Sequence, residues 1–419
     1  MKCIIIAFGC FCAATVGFAQ EDETASIKNL EQRTQTVEDA VKVLQRLKVS
    51  GSIQAQYQWG ERDAALKVGS ANTGPEESFN RIGIRRGRIK LTYDYSSVSG
   101  VFQIDITERG VGVKDAYFAA KDPWFGTNVL KAGIFDRPFG HEISYSSSRR
   151  ESPERSTVFQ LLFPEERDMG ASLVLKAPKD SPMSFLTLEA GLFSGNGIKE
   201  DSDNRKDFIG HLFATGKVSD FADWGLGASY YYGGVLQGNE NVYRMSGNAF
   251  IVDNAPGNKG KFAKREYFGI DGQFSLKGLF GITQIRAEYL TGTQPGTSAG
   301  SKSPNSSTPT VADIYIRNFN GGYITLVQDL GRLPLSAVMK YDWYDSNTKV
   351  SGDNVGQNGT GSADLAQHTF GFGALWHINT ALRLQAFYEI NKNETTQSLP
   401  FFASDVDDDV FTLRLQYRF

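Results

Sequence analysis

Apolar and polar residues alternate along most of the chain, and the pattern is clearest at the C-terminus. Within residues 411–419, five apolar side chains at every second position are separated by Thr, Arg, Gln and Arg. Successive side chains of a β-strand point to opposite faces, so this segment has one apolar and one polar face. The same alternation recurs at 335–343 and 382–390. We count about sixteen strand-like segments after residue 49, an even number typical of a closed barrel.

The connections between these segments alternate in length. Short connections such as 331–334 and 379–381 are followed by long ones such as 345–366. In outer-membrane barrels short turns face the periplasm and long loops face outwards, whereas a β-sandwich needs no such alternation. The predicted fold is therefore all-β: a 16-stranded antiparallel transmembrane β-barrel over residues 49–419. It would lie in the outer membrane of a Gram-negative bacterium, in contact with lipid and lipopolysaccharide.

The residues before the barrel predict two further segments. Residues 1–19 have a lysine, an apolar run and a small residue at the end, which predicts a secretory signal peptide. All three cysteines lie inside it, so the exported chain would have no disulfide. Residues 20–48 predict a short periplasmic helix, which could form a trimeric or dimeric coiled coil, contact the cell wall or pack on its own domain. Its apolar positions follow spacings of three and four, with Thr34 in the gap between the second and third of them: Ile27, Leu30, Val37, Val41 and Leu44.

Charge and motifs exclude several classes of protein. The 44 Lys and Arg residues against 47 Asp and Glu give a net charge of −3, which argues against a nucleic-acid binder. The chain has four histidines, and no nucleophile motif such as Gly-x-Ser-x-Gly accompanies His141, which lies beside Glu142. A P-loop, zinc-ligand spacing and a dinucleotide fingerprint do not occur in the sequence. We therefore expect no enzymatic activity, no metal and no cofactor.

The densest basic segment is 81–90, with five cationic residues and no acidic one. Arg88 and Lys90 alternate with Ile89, so both cations face the lumen if Ile89 faces lipid. Guanidinium groups suit phosphate because each can donate two parallel hydrogen bonds. The same parity predicts further pore-lining cations at Arg286, Lys340 and Arg383, and acidic residues with that parity would offset part of their charge.

Seven short motifs resemble the phosphate-selective porins O and P. They are Arg-Arg-Gly-Arg at 85–88, Lys-Asp-Ala-Tyr at 114–117, Lys-Ala-Gly-Ile-Phe at 131–135, Arg-Pro-Phe-Gly-His-Glu at 137–142, Ser-Ser-Ser at 146–148, Pro-Glu-Arg at 153–155 and Arg-Asp-Met-Gly at 167–170. The resemblance implies a homotrimer of sixteen-stranded barrels whose third external loop, here residues 136–168, folds into the lumen as a constriction loop. It also implies an anion site formed by Arg85, Arg86, Lys131, Ser146, Ser147 and Arg155.

The sequence departs from that family at three positions. Ile143 stands where the loop would carry a lysine, Ile134 where phosphate-specific members carry an arginine, and Lys114 where they carry an acid. Together with the mixed inward charges, these departures favour weak anion preference over phosphate selectivity. The predicted function is therefore a porin for passive diffusion of small anions such as phosphate. The alternatives are a general or oligosaccharide porin, and a barrel tethered to the cell wall by its N-terminal helix.

Overall fold

The computed structural model describes residues 27–74, 76–306 and 311–419. The predicted signal peptide and its cysteines lie outside the described residues. Helix α1 comprises residues 27–44, and the first strand begins at Leu47. No helix in the described part of the chain combines the length and hydrophobicity needed to cross a bilayer.

Eighteen strands of the described chain form one sheet, and sixteen of them close into an antiparallel barrel, as the alternating pattern predicted. Strand β1 pairs with β18 from Ser52–Arg418 to Gly60–Val410, which closes the barrel. The barrel strands are β1 Leu47–Glu61, β2 Ser78–Tyr95, β3 Val98–Thr107, β4 Gly110–Lys121, β5 Val129–Asp136, β6 Arg167–Lys176, β7 Leu186–Phe193, β8 Asp207–Ser219, β9 Ala222–Leu236, β12 Phe262–Gly278, β13 Gly281–Gly296, β14 Ile314–Asp329, β15 Leu335–Asp345, β16 Gln367–His377, β17 Leu382–Asn393 and β18 Val410–Arg418.

The remaining two strands form a hairpin between β9 and β12. Strand β10 (Val242–Ser246) pairs antiparallel with β11 (Ala249–Asp253) and parallel with the start of β14. The backbone N–H of Phe250 donates to the carbonyl of Asn358 in the loop before β16. This hairpin therefore joins three of the long loops at one end of the barrel. The other loops contain helix α2 (Thr157–Leu162) and short 3₁₀ turns at Pro256–Asn258, Gly352–Asn354, Ser362–Asp364 and Pro400–Phe402.

The outer surface of the barrel is apolar between its ends. In β18 the outward Leu413 and Leu415 are exposed, while the inward Arg414 is fully buried. Aromatic pairs lie near the strand ends, such as Tyr417 and Phe419, whose ring centroids are 5.8 Å apart. A spanning barrel needs such an apolar belt with aromatic residues at its two rims.

The largest apolar core of the described residues lies inside the barrel. The constriction loop folds inwards, and its Phe139, Ile143, Phe159 and Phe163 are at most 1% exposed. They pack against inward aromatic side chains of the barrel wall: Tyr231, Tyr267, Phe319, Tyr323 and Tyr344. Apolar burial, rather than polar contacts alone, therefore fixes the loop in the lumen.

The first turn of the constriction loop is fixed by a carboxylate of β13. The backbone N–H groups of His141 and Glu142 donate to Glu288 over 2.9 and 2.5 Å. Gly140 has a φ of +62°, and a Cβ there would lie 2.0 Å from Oε2 of Glu288. Only glycine fits this turn, because it tolerates positive φ and leaves room for the carboxylate.

Candidate functional site

Two cavities inside the barrel meet at the constriction loop. The inner cavity has a volume of about 260 Å³ and lies between the loop and strands β2 to β4. The outer vestibule has a volume of about 630 Å³ and is bordered by the long loops before β2 and β18. Glu154, Arg155 and Gln160 line both cavities. These three residues therefore separate the two cavities.

A β-bulge places two consecutive arginines in the lumen. Gln54 pairs with Arg86 while its neighbour Ala55 pairs with Ile84, so Arg85 is an extra residue in β2. Side chains of consecutive strand residues normally point to opposite faces, and a bulge interrupts that alternation. Arg85 and Arg86 both line the inner cavity as a result.

A second bulge adds another cation to the same cavity. Gln103 pairs with Asp115 while Ile104 pairs with Val113, so Lys114 is an extra residue in β4. Its Nζ lies 2.5 Å from a carboxylate oxygen of Glu166. The inner cavity is consequently lined by five cationic residues, namely Arg85, Arg86, Arg88, Lys114 and Arg155.

Carboxylates offset most of this positive charge. Four acidic residues line the inner cavity, namely Asp105, Glu154, Glu165 and Glu166. Nε and Nη2 of Arg85 each donate to a different oxygen of Glu154, both over 2.8 Å. Nη2 of Arg86 donates to the same carboxylate over 2.7 Å, and Nη2 of Arg414 over 3.1 Å. Burial alone would raise the pKa of Glu154, but the three guanidinium groups outweigh it and hold that pKa well below its usual range.

Arg155 is held by the constriction loop itself. Its guanidinium bonds to Glu166 and donates to the carbonyl oxygens of Glu142 and Ile143 over 2.8 and 2.9 Å. Burial would raise the pKa of Glu166, but the charges of Arg155, Lys114 and Arg167 keep it well below its usual range. Both loop carboxylates therefore remain ionised near neutral pH.

The other predicted anion-site residues lie elsewhere in the lumen. Lys131 pairs with Glu189 over 2.9 Å. Oγ of Ser147 accepts a hydrogen bond from Arg88 over 2.8 Å, whereas Ser146 is exposed and contacts Ser148. None of Lys131, Ser146 and Ser147 is among the described residues that line the inner cavity. The structure brings Arg85, Arg86 and Arg155 together at one cavity. Ser147 contacts that cavity only through Arg88, and Lys131 and Ser146 lie apart from it.

Most of the predicted pore-lining cations also have partners. Arg88 pairs with Asp105 over 3.1 Å, Arg286 with Glu151 over 2.6 Å and Lys340 with Glu142 over 3.3 Å. Arg383 instead donates to the carbonyl oxygens of Arg149 and Arg150. Lys90 lies on the inward side of β2 and makes no ion pair within the residues that the structure describes.

Sequence reasoning missed the roles of three residues. Glu154 was not among the predicted site residues. The alternation placed Arg414 on the polar face of the last strand, but its ion pair with Glu154 beside the inner cavity was not predicted. The motif Pro-Glu-Arg at 153–155 offered a signal for Glu154, since a carboxylate next to a predicted anion-binding arginine is a natural partner for other cations. Lys114 was noted as part of a family motif and as a departure from the family's usual acid, but its position in the cavity was not predicted, because a bulge leaves no mark in the alternating pattern. Ile143, at the position of the expected lysine, is fully buried in the apolar core.

The outer vestibule has a different character from the inner cavity. Five acidic and three basic residues line it, together with amide side chains and Phe401, which is 60% exposed. Burial and the neighbouring Asp405, Asp409 and Glu61 raise the pKa of Asp408, a loop residue of this vestibule, to about 7. Cationic side chains therefore outnumber acidic ones in the lining of the inner cavity, and acidic side chains outnumber basic ones in the lining of the outer vestibule.

Comparison with known proteins gives matches only among solved structures. No family model matches the chain, and no curated protein matches it. OprB of Pseudomonas putida is 10% identical, with a TM-score of 0.58 over 90% of this chain and 96% of that one. The outer membrane channel DcaP of Acinetobacter baumannii is 11% identical, with a TM-score of 0.53 over 89% and 97%. An anion-selective porin of Comamonas acidovorans is 10% identical, with a TM-score of 0.52 over 89% and 99%.

These identities are too low to carry residue roles from one protein to another. The matches extend over almost the whole of each chain, and the strand closure and inward loop described above are independent of them. The protein therefore has the closed-barrel fold of the outer-membrane porins.

Proposed function

We propose that this protein is a passive pore in the outer membrane, through which small polar solutes diffuse with a weak preference for anions. The observation that carries the proposal is the inner cavity, where five cationic side chains meet four acidic ones directly beside the constriction loop. A small positive excess in a confined, water-filled space raises the local concentration of anions. The anion-selective porin with the same fold supports this solute class.

The ion pairs of the cavity support a weak preference over phosphate selectivity. Arg85, Arg86 and Arg155 are the strongest candidate anion ligands, yet each already bonds to a carboxylate of the constriction loop. Permeation also requires sites weak enough for the solute to leave. Phosphate is therefore one of several small anions that we expect to pass, rather than a tightly bound ligand.

A reversal-potential measurement tests this function. Purified protein in a planar bilayer under a tenfold KCl gradient should conduct, and the reversal potential should indicate chloride permeating a few times faster than potassium. The expected preference for chloride over potassium is small, because the cationic residues that line the inner cavity outnumber the acidic ones by one. Absence of conductance would contradict the pore, and a cation preference would contradict the proposed solute class.

We also propose that three copies associate, with the α1 helices forming a coiled coil in the periplasm that can contact the cell wall. Its apolar side chains Ile27, Leu30 and Val37 are 55–61% exposed, which leaves a stripe that a second helix would cover. Removal of residues 20–44 should lower the fraction of trimers and the amount of protein that sediments with the cell wall. Unchanged trimer content by light scattering and unchanged cell-wall association would contradict this role, and the full-length chain is the control.

A further inference from the structure

The three arginines around Glu154 have the geometry of an oxyanion site. Nε and Nη2 of Arg85 each donate to a different carboxylate oxygen of Glu154. Nη2 of Arg86 and Nη2 of Arg414 also donate to this carboxylate. Guanidinium groups bind phosphate through the same parallel pairs of hydrogen bonds. The three arginines are therefore arranged to bind an oxyanion, and the oxyanion that they bind in this structure is the side chain of Glu154.

The surroundings of Glu154 carry more positive than negative charge. The side chains of Arg86 and Arg414 are 5% and 0% exposed, so water satisfies little of their charge. Arg150 is 3% exposed and acts on Glu154 through its charge, and its Nη1 has no hydrogen-bond partner among the described residues. Removal of the single carboxylate would leave several buried cations without a counterion, which is costly unless another anion replaces it.

The position of Glu154 places the three-arginine site on the anion pathway proposed above. Glu154 belongs to the constriction loop and lines both the inner cavity and the outer vestibule. Arg85 and Arg86 line the inner cavity, so an anion in that cavity would lie beside two of the three arginines. The carboxylate of Glu154 is the group that separates such an anion from the arginines.

We propose that Glu154 is a tethered internal ligand, which occupies an oxyanion-binding site formed by Arg85, Arg86 and Arg414 and excludes free phosphate from it. A tethered group is present at a high effective concentration, so a free anion at millimolar concentration does not displace it. The inference rests on the proposed anion pathway and adds a specific site to it. Glu154 thereby converts a site that would retain phosphate into a passage that releases it.

The variant Glu154→Gln tests the inference, because glutamine keeps the size of the side chain and removes its charge. Chloride current through the full-length protein is measured in a planar bilayer while inorganic phosphate is added. Phosphate should block the variant at a concentration lower by about tenfold or more, the scale of one charge-assisted hydrogen bond. Glu154→Asp retains the charge on a shorter side chain and should show a partial block, weaker than that of Glu154→Gln.

The matched control is Glu151→Gln, which removes the same charge from the same loop. Glu151 pairs with one arginine, Arg286, and not with a converging set. Its loss should increase the anion preference without creating phosphate block. Equal block in both variants would indicate a general charge effect and overturn the proposed site.

Failures of the two proposals are distinguishable. A wild-type protein that conducts no chloride contradicts the proposed function, whatever the variants do. A wild-type protein that conducts chloride, with phosphate block unchanged in Glu154→Gln, contradicts the internal ligand alone. If Glu154→Gln fails to assemble as a heat-modifiable barrel, Glu154→Asp tests the inference in its place. The shorter side chain of aspartate withdraws the carboxylate from the arginines, so phosphate should partially block this variant. Absence of that partial block would overturn the inference.

Discussion

Truncation of Phe159 to alanine should release the constriction loop and raise the single-channel conductance several-fold, with added current noise. Phe159 is fully buried at the middle of α2 and packs against Phe163 and Tyr323, with ring centroids 5.9 and 6.2 Å apart. Loss of a buried phenylalanine side chain costs about 3–5 kcal/mol. The substitution therefore weakens the packing that holds the constriction loop across the lumen. The measurement is conductance in 1 M KCl.

A matched control is Phe208→Ala on the outer surface of β8. Phe208 is 38% exposed and contacts Tyr230 at the membrane-facing side. Its removal should leave conductance and noise unchanged. Equal behaviour of Phe159→Ala and the wild-type protein would contradict the view that apolar packing keeps the loop in the lumen.

Replacement of both Arg85 and Arg86 by alanine should turn the weak anion preference into a cation preference. The inner cavity would then have three cationic residues against four acidic ones. Of the three arginines that now bond to the Glu154 carboxylate, Arg414 would remain. The change should be largest in dilute salt, because the Debye length is ~10 Å at 0.1 M and ~3 Å at 1 M. The measurement is the chloride-to-potassium permeability ratio at both concentrations.

The control removes two cations that lie outside the inner cavity. The double variant Lys90→Ala and Lys131→Ala has the same change in net charge, but neither residue lines the inner cavity. It should reduce the anion preference less than the arginine variant does. If the two double variants have equal permeability ratios, the selectivity depends on total lumen charge and not on this cavity.

The barrel could be predicted from the sequence because strand alternation is a local property. Each segment shows its apolar and polar faces without knowledge of its neighbours, and the prediction of a closed sixteen-stranded barrel was confirmed. The two bulges could not be predicted, because alternation assumes one residue of each strand opposite one residue of the next. Parity alone would send Arg85 and Arg86 to opposite faces.

The content of the lumen was the harder part of the prediction. A water-filled barrel suggests polar inward positions, yet the constriction loop brings Phe139, Ile143 and Phe159 into the interior. The sequence also does not reveal which charges neutralise one another. Arg85 and Glu154 are 69 residues apart, and only the folded loop brings them into contact.

The bulges at Arg85 and Lys114 have a consequence for how such a pore can evolve. Each is a single extra residue, and on either side of it the pairing of the strands is regular. Deletion of one codon at either position would restore strict alternation, keep every other side chain on its present face and remove one cation from the inner cavity. A lineage can therefore change the charge that lines the lumen by a one-residue insertion or deletion within a barrel strand. Comparisons of related genes should look for such length changes in β2 and β4 as well as for substitutions.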